Sequence, residues 1–369
     1  MGGLPSRPTC LIRHSHTTSD VRLRLPANVA PIGWTSDLPG SARGVCFVHL
    51  HVRWLVTGGA GYIGAHVTLA LRDAGSDILV VDDLSTGLAE RLPDDVTFVR
   101  ADVRDAGPVM DAFRRFRPHG VVHLAARKDV AESTAHPLAY YDANLDGLRA
   151  VLTACAAYRT RSVLFSSSAA VYGTPSVSPV TEDCGTFPVN PYGRTKLVGE
   201  WMLRDAAASA GFGWAALRYF NVAGAAAPHL RDVGGTNLVP RLLRAAAQGM
   251  PIRVYGGDWP TPDGSPVRDY VHVSDVAEAH STAAVALTEG VLHADVLNVG
   301  RGVGTSVLAM IETAREVTGR RLGHVIGARR PGDPASVVAG VERIRARLGW
   351  SARHDLVDIV RSAAELVPA

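Results

Sequence analysis

Tyr192 and Lys196 stand four residues apart in the segment NPYGRTK, where Asn190 and Pro191 mark the start of a helix. Residues four apart share a helix face, so the lysine can act on the tyrosine. A phenol titrates near 10, so a base useful near pH 7 needs its pKa lowered by about three units, or about 4 kcal/mol. One positive charge at about 4 Å supplies roughly that amount at an effective dielectric constant of 20. The pair predicts general acid–base chemistry on a hydroxyl group.

A serine-rich strand precedes this helix in the chain. In FSSSAAVYG, Ser168 ends a predicted buried strand and can hydrogen-bond the hydroxyl group on which Tyr192 acts. A tyrosine and a lysine at this spacing would, by themselves, most often form an exposed helical face. Together with the serine and with the glycine-rich turn described next, they predict the catalytic group Ser168, Tyr192 and Lys196.

The segment TGGAGYIG lies between a predicted strand and a predicted helix. Its glycines allow a tight turn and close backbone approach, and the helix N-terminus presents amide donors to a pyrophosphate. The next strand ends in Asp82, where a carboxylate would bind the adenosine ribose and repel a 2′-phosphate, which favours NAD over NADP. Asp102, after the third strand, lies beside the adenine or caps a helix. The predicted cofactor site therefore includes Gly58, Gly61, Tyr62, Ile63, Gly64, Asp82 and Asp102.

Lysine is scarce in this chain. Of 38 basic residues, only Lys128 and Lys196 are lysine. An ammonium differs from a planar guanidinium in shape and hydration, and this difference matters most inside a shaped site. The alternative is chance survival on a solvated face. The scarcity predicts that both lysines belong to functional sites.

Ten segments occur in an order that resembles the UDP-glucose 4-epimerase family of extended short-chain dehydrogenases/reductases. They are TGGAGYIG, DDLSTG, AARKDVAES, YYDAN, FSSSAAVYG, NPYGRTK, RYFNVAGA, NLVP, VRDYVHV and RRPGD. The resemblance runs from Arg53 almost to the C-terminus. It implies that Asn144 supports the catalytic group at the cofactor and that Lys128 contacts the nicotinamide half of NAD. It also implies contacts to the uridine and diphosphate by Asn221, Asn237, Arg268, Arg330 and Asp333.

The activity implied by this resemblance is an isomerisation that interconverts UDP-glucose and UDP-galactose. Tyr192 would remove the proton of the sugar 4-hydroxyl while a tightly bound NAD takes the hydride, and the 4-keto sugar would turn over before reduction on its other face. The position matched by Val337 lies beside the turning sugar in the family. Valine there leaves room for a 2-acetamido group, so activity on N-acetylhexosamines is also expected. A register shift by one residue would instead direct Ser336 or Val338 at the sugar.

Two positions depart from the family pattern, and other functions are open. Pro331 stands where many relatives have glutamate, and Ala143 stands where some have asparagine. A related dehydratase or decarboxylase would carry an acidic residue just after the active-site hydroxyl residue, where this chain has Ala169 and Ala170. A non-catalytic NAD-binding sensor is an alternative of a different class, although such proteins commonly lose the Tyr/Lys pair.

Apolar runs alternate with helical segments, which predicts a parallel, doubly wound α/β sheet of the Rossmann type. The predicted strands cover residues 54–57, 77–81, 96–99, 120–124, 162–165 and 214–217. Beyond residue 221 the pattern weakens to a helix near 238–247 and a strand at 252–255, which indicates a smaller α/β lobe. We expect an NAD-binding domain of residues 52–220, to which the chain returns at about 269–300. Residues 221–268 and 301–369 would form the substrate-binding domain.

Composition limits the remaining possibilities. The 369 residues are 47% apolar and 20% charged, which is typical of a globular protein. No apolar run reaches the roughly 18 residues of a membrane-spanning helix, so no membrane partner is expected. The cysteines Cys10, Cys46, Cys155 and Cys184 lack metal-ligand spacing, so neither zinc nor disulfides are expected and a reducing cytoplasm is the expected location.

The first 51 residues differ from the rest. They hold five Arg and two Asp, which accounts for the net charge of +3 and leaves 33 basic and 33 acidic residues in the body. The body therefore has no net charge to attract nucleic acid. The leader lacks apolar periodicity and predicts a poorly ordered extension, either a targeting peptide or, as we favour, sequence upstream of a natural start near Val52.

Two helical segments, 138–158 and 191–210, are rich in alanine and leucine. The family resemblance implies that they pair two subunits across a helical bundle, which gives a homodimer. Their apolar faces could equally belong to the core of one subunit.

Overall fold

The computed structural model describes residues 52–330 and 332–364. The predicted extension at residues 1–51 and the departure at Pro331 lie outside the described residues. Among the described residues, no helix combines the length and apolar character needed to cross a bilayer.

Seven parallel strands form the main sheet, in the spatial order β3-β2-β1-β4-β5-β6-β10. Their bounds are β1 Arg53–Thr57, β2 Asp77–Asp82, β3 Thr97–Arg100, β4 Gly120–His123, β5 Ser162–Ser168, β6 Gly213–Tyr219 and β10 Ala294–Val299. The six predicted strands are confirmed, and the α/β doubly wound class with them. The strand order reverses between β1 and β4, and sheets of this type bind ligands at such a point.

Helices cover both faces of this sheet. Alternate side chains of a strand point to opposite faces, so on β1 Val56 belongs to one core and Leu55 to the other. The first core includes residues of α1 Tyr62–Asp73 and α8 Val273–Thr288. The second includes residues of α2 Ala106–Phe116, α5 Gly147–Ala157 and α6 Pro191–Ala210. Burial on both faces explains why the strands read as continuous apolar runs.

The predicted helix starting after Asn190 is confirmed. Asn190 Oδ1 accepts a hydrogen bond from Gly193 N at 2.8 Å, and α6 ends at Gly211 in the left-handed conformation with φ +77°. The predicted helical segment 138–158 is interrupted. It consists of α4 Pro137–Tyr141, a π-helical turn Asp142–Asp146, and α5.

A smaller lobe follows residue 220. One sheet contains β7 Asn221–Ala223, β9 Val267–His272, β11 Gly304–Ser306 and β13 Ser336–Val337, while β8 Ile252–Tyr255 pairs with β12 His324–Gly327. Three helices pack around a third core with β7, β8 and β9: α7 Leu238–Gln248, α9 Val307–Thr318 and α11 Leu356–Ala364. The remaining helices are α3 Val130–Ala135 and α10 Glu342–Leu348. After β9 the chain returns through α8 to β10 of the main sheet, so the two lobes share their chain.

Candidate active site

A cavity of about 330 Å³ lies between the carboxyl ends of main-sheet strands and the smaller lobe. Ten residues predicted for catalysis or binding line it: Tyr62, Ile63, Lys128, Ser168, Tyr192, Asn221, Asn237, Arg268, Asp333 and Val337. Within residues 52–330 and 332–364, no group of three or more His, Cys, Asp or Glu side chains is arranged to hold a metal ion. The cavity therefore joins most of the predicted catalytic and substrate residues in one space; Lys196 and Arg330 are outside its lining.

Ser168 and Tyr192 meet at the wall formed by the main sheet. Ser168 is the last residue of β5, and its Oγ accepts a hydrogen bond from Ala170 N at 3.2 Å. Burial raises the pKa of Tyr192, and a hydrogen bond with Ser168 opposes this rise. The predicted lowering of this pKa is therefore not found in the protein alone, because loss of solvation disfavours the phenolate.

Lys196 lies one helical turn beyond Tyr192 and is buried. Its Nζ donates a hydrogen bond to Ser166 O at 2.8 Å and is 5.9 Å from the centre of the Tyr192 ring. Burial lowers the pKa of Lys196 to about 7. Burial and the Lys196 charge lower the pKa of nearby His123 to about 3, so this imidazole is neutral near pH 7. The Lys196 amine thus lies one helical turn from the Tyr192 phenol, and the nearby His123 adds no charge near pH 7.

Asn144 connects the catalytic helix to the loop of Lys128. It lies in the π turn, a distortion that often occurs at functional sites. Its Oδ1 accepts from Arg127 N at 2.8 Å, and its Nδ2 donates to Arg127 O at 3.0 Å and to Thr195 Oγ1 at 2.9 Å. Thr195 belongs to α6. Asn144 therefore fixes the backbone before Lys128, whose side chain lies exposed at the cavity wall.

The glycine-rich turn fits a dinucleotide. Gly58 has φ +72°, and a Cβ there would lie 2.6 Å from Ala125 N, while a Cβ at Gly64 would lie 2.0 Å from Gly58 O. Gly61 is the N-cap of α1, no side chain caps this terminus, and the first turn holds no acidic residue. The first amides of α1 therefore keep their donors for an anionic group. These residues fit the pyrophosphate of NAD.

Asp82 ends β2 beside this turn. Its Oδ2 accepts from Ala60 N at 3.0 Å, and its Oδ1 accepts from Leu84 N at 2.9 Å. Burial raises the pKa of Asp82, and both backbone donors oppose the rise. The carboxylate therefore stabilises the turn. Each oxygen retains lone-pair capacity for a further donor such as a ribose hydroxyl.

Asp102 lies after β3 and is held by Arg104. Its carboxylate accepts from Arg104 N at 2.8 Å and from Arg104 Nε at 3.0 Å, which lowers the pKa of Asp102. The alternative prediction that Asp102 caps a helix is wrong. Asp105 is the N-cap of α2 and accepts from Gly107 N at 3.2 Å.

Asn221 and Asn237 contribute from the smaller lobe. Asn221 begins β7 and is exposed at the cavity. Asn237 occupies the N-cap position of α7 without capping it, and its Nδ2 donates to Asp232 Oδ2 at 2.6 Å. The amide oxygen of Asn237 is thus not used for the helix terminus.

The three charged residues predicted to lie around the uridine and diphosphate differ in their contacts. Arg268 Nη1 donates to Pro334 O at 2.9 Å, so this guanidinium is attached to the cavity wall. Arg330 and Asp333 form an ion pair at 2.8 Å, and the Arg330 guanidinium lies 4.6 Å from the centre of the Tyr255 ring. Asp333 lines the cavity, whereas Arg330 is outside its lining.

Val337 lines the cavity and is 8% exposed. It pairs with Arg268 in the register of β13 and β9. Its neighbours Ser336 and Val338 are not part of the lining. Of the three residues considered from the sequence, Val337 is the one that lines the cavity, and its contact with the sugar stays a prediction.

Three aromatic residues of the lining were missed from the sequence: Tyr219, Phe220 and Tyr270. The available signal was their position in RYFN and VRDY, at or near strand ends. The Tyr219 hydroxyl hydrogen-bonds His280 Nε2, and His280 Nδ1 lies 2.8 Å from Val276 O. Burial lowers the pKa of His280 to about 4, so the pair is neutral near pH 7.

Comparison with known proteins agrees with this geometry. The sequence profile described as the NAD dependent epimerase/dehydratase family matches residues 54–300. The UDP-glucose 4-epimerase of Azospirillum brasilense is 45% identical over 317 residues, which cover 84% of this chain and 90% of that protein. The UDP-glucose-4-epimerase of Stenotrophomonas maltophila, crystallised with bound NAD and formylated UDP-arabinopyranose, superposes with a TM-score of 0.82 at 40% identity, covering 86% of this chain and 98% of that chain. The UDP-Glc/GlcNAc 4-epimerase of Campylobacter jejuni superposes with a TM-score of 0.76 at 35% identity. The superposition covers 85% of this chain and 98% of that chain.

Proposed function

The chain belongs to the NAD dependent epimerase/dehydratase family, and we propose that it interconverts UDP-glucose and UDP-galactose as a UDP-glucose 4-epimerase. The observation that carries this proposal is that Ser168 and Tyr192 line one cavity together with Tyr62 and Ile63, which follow the glycine-rich turn, while the buried Lys196 lies one helical turn beyond Tyr192. This grouping joins proton chemistry to a dinucleotide site. The similar enzymes named above support the same assignment.

We propose that NAD is held along the carboxyl edge of the main sheet. The proposed contacts are Gly58, Gly61, Tyr62, Ile63, Gly64, Asp82, Asp102, Lys128, Asn144, Tyr192 and Lys196. Asp82 would receive the ribose hydroxyls and repel a 2′-phosphate, which favours NAD over NADP. Asn144 would act mainly as a support, since its amide already bonds Arg127 and Thr195.

The proposed chemistry assigns proton transfer to the protein. NAD, when bound, supplies the acceptor and donor for the hydride of the sugar C4. Tyr192 takes the proton of the 4-hydroxyl group and returns it after the sugar has turned over. Ser168 hydrogen-bonds the phenol and is placed to bond the same sugar hydroxyl. Lys196, when protonated, would favour the phenolate electrostatically.

We propose that the smaller lobe grips the nucleotide and leaves the sugar free to turn. Asn221, Asn237 and Arg268 would bind the uridine and diphosphate from the wall of the cavity. Arg330 and Asp333 would complete this contact by exchanging their mutual ion pair for the ligand. A guanidinium suits a diphosphate because its planar fork donates two parallel hydrogen bonds.

We further propose that N-acetylhexosamines are substrates. The argument rests on Val337, which borders the cavity with a side chain smaller than an aromatic ring. Val337→Tyr should selectively lower turnover of UDP-N-acetylglucosamine relative to UDP-glucose, whereas Val337→Ala should retain both. Equal loss on both substrates, or none, would refute this role of Val337.

Three wider assignments accompany this function. We propose that residues 52–220 and about 269–300 form the NAD-binding domain, with residues 221–268 and 301–369 as the substrate-binding domain.

We propose a homodimer through the helical segments 138–158 and 191–210, supported by the exposure of Leu138 and Trp201. We also propose a cytoplasmic location, supported by the free thiols of Cys155 and Cys184.

The direct test is to incubate the purified protein with UDP-galactose and to follow UDP-glucose by NMR spectroscopy, with the bound nucleotide identified after denaturation. We expect conversion to an equilibrium mixture without net oxidation. Formation of a dehydrated or decarboxylated sugar would place the chain with other members of the family. NAD binding without turnover of any UDP-sugar would favour a sensor.

A further inference from the structure

Arg91 is a buried cation outside the cavity. It ends a 3-10 turn, Ala89–Arg91, and is 2% exposed. Its Nη1 donates to Ala60 O at 3.3 Å and its Nη2 donates to Arg231 O at 2.8 Å. Its Nε has no hydrogen-bond partner among the described residues. A cation in this position is costly to bury unless it contributes to a specific arrangement.

The two acceptors of Arg91 belong to different lobes. Ala60 lies in the glycine-rich turn, whereas Arg231 lies in residues 224–237, which connect β7 to α7 and are here named the crossing segment. Two side chains of α1 also hydrogen-bond this segment. Tyr62 Oη donates to Gly224 O at 2.6 Å, and His66 Nε2 accepts from Ala226 N at 3.1 Å. Arg91 thus holds the far part of the segment, which these two bonds do not reach.

The crossing segment leads directly to the cavity. Asp232 follows Arg231 and accepts hydrogen bonds from Gly234 N at 2.9 Å and from Asn237 Nδ2 at 2.6 Å. Asn237 lines the cavity. Asp232 also acts electrostatically on Arg91. One guanidinium therefore influences both the backbone before Asp232 and the carboxylate that orients Asn237.

The glycine-rich turn depends less on Arg91 than the crossing segment does. Leu88 N also donates to Ala60 O at 3.0 Å, and Asp82 accepts from Ala60 N. Loss of the guanidinium would leave these bonds in place on the cofactor side. The greater effect should fall on the smaller lobe.

We propose that Arg91 is a positioning residue for the nucleotide part of the UDP-sugar, because it fixes the crossing segment against the glycine-rich turn and so orients Asn237. This inference rests on the proposed function, since it concerns the UDP site of the same cavity. A positioning role of Arg91 should change the affinity for UDP and leave the proton chemistry of Tyr192 unchanged, which distinguishes it from a general structural role.

The test compares Arg91→Met with wild type by calorimetric titration with UDP and by steady-state kinetics with UDP-galactose. Losing a charge-assisted hydrogen bond should weaken UDP binding and raise KM by roughly 10-fold or more, while kcat at saturation stays within about 3-fold. The NAD content should be unchanged. Arg91→Lys should recover part of the affinity, and Arg114→Met, which removes an exposed arginine of α2, serves as the matched control.

An Arg91→Met protein that folds and binds UDP as tightly as wild type would overturn the inference, as would a loss of kcat at unchanged affinity. If that variant does not fold, Asp232→Asn gives the second measurement: weaker UDP binding supports the inference, and unchanged binding overturns it. Wild-type protein that binds UDP without epimerising UDP-galactose would refute the proposed function alone, and Arg91 would then be judged from UDP affinity.

Discussion

The two walls of the cavity differ in how their polar side chains are held. Behind the main-sheet wall, Lys196 and Asn144 are buried and hydrogen-bond mainly to backbone atoms. On the smaller-lobe wall, Asp333 and Asn237 bond the side chains of Arg330 and Asp232. The groups of the first wall are held by backbone partners, whereas the exposed ion pair of Arg330 and Asp333 can open toward a ligand; we call the two walls the fixed wall and the adjustable wall. Proton transfer requires the reacting groups to be held in a near-attack geometry.

The largest effect should come from the fixed wall. Tyr192→Phe removes the group that takes and returns the proton, so kcat should fall by roughly 10² to 10⁴-fold with folding and NAD content preserved. Turnover of UDP-galactose and the nucleotide content measure this directly. Tyr158→Phe, a tyrosine outside the cavity lining, is the control. Near-wild-type turnover would mean that another group carries the proton.

Lys196→Arg keeps the charge and tests whether the fixed wall depends on shape. A guanidinium is larger than an ammonium and cannot occupy the same buried position beside Ser166 O without displacement. We expect kcat to fall roughly 10 to 100-fold, in line with the contribution of a displaced electrostatic partner. Arg204→Lys, the reverse exchange on an exposed position of α6, is the control. Full activity of Lys196→Arg would leave lysine scarcity without a functional reason.

Acid should lower the stability of the fold through the buried His280, which hydrogen-bonds Tyr219 of the cavity lining. The pKa of His280 is about 4 in the folded chain and about 6.5 when unfolded, so between these values the unfolded chain binds the additional proton. The neutral imidazole therefore causes no loss above about pH 6.5, and stability falls as the pH drops toward 4, by up to about 3 kcal/mol. The free energy of unfolding, measured with urea at pH values from 7 to 4.5, should depend less on pH in His280→Gln than in wild type. Equal slopes would show that His280 titrates normally.

The smallest effect should come from the adjustable wall. Arg330 is about half exposed, so Arg330→Gln should raise the KM for UDP-galactose about 10-fold at most, with little change in kcat, because one exposed charged contact is worth about 1 kcal/mol. Arg361→Gln, which removes an arginine from another exposed i,i+3 ion pair, is the control. A fall in kcat as large as that of Lys196→Arg would mean that both walls are equally fixed.

Much of the fold followed from local patterns. Continuous apolar runs bounded by glycine and polar residues predicted six strands, because parallel strands covered on both faces need apolar side chains throughout. The start of α6 followed from Asn190 and Pro191, because capping is a local hydrogen-bond requirement. The alternative that Asp102 caps a helix was wrong because two acidic residues, Asp102 and Asp105, precede α2, and only backbone geometry selects Asp105.

The sequence by itself determined which side chains could do chemistry, since Ser168, Tyr192 and Lys196 are recognisable from residue type and short spacing. Only the tertiary structure decided their surroundings. Burial, which depends on every element packed around a group, raises the pKa of Tyr192 and lowers that of Lys196 to about 7, against the expectation from their pairing alone. The contact of Arg91 with residues 60 and 231 was likewise invisible, because it joins positions distant in the chain through a buried side chain that no local pattern marks.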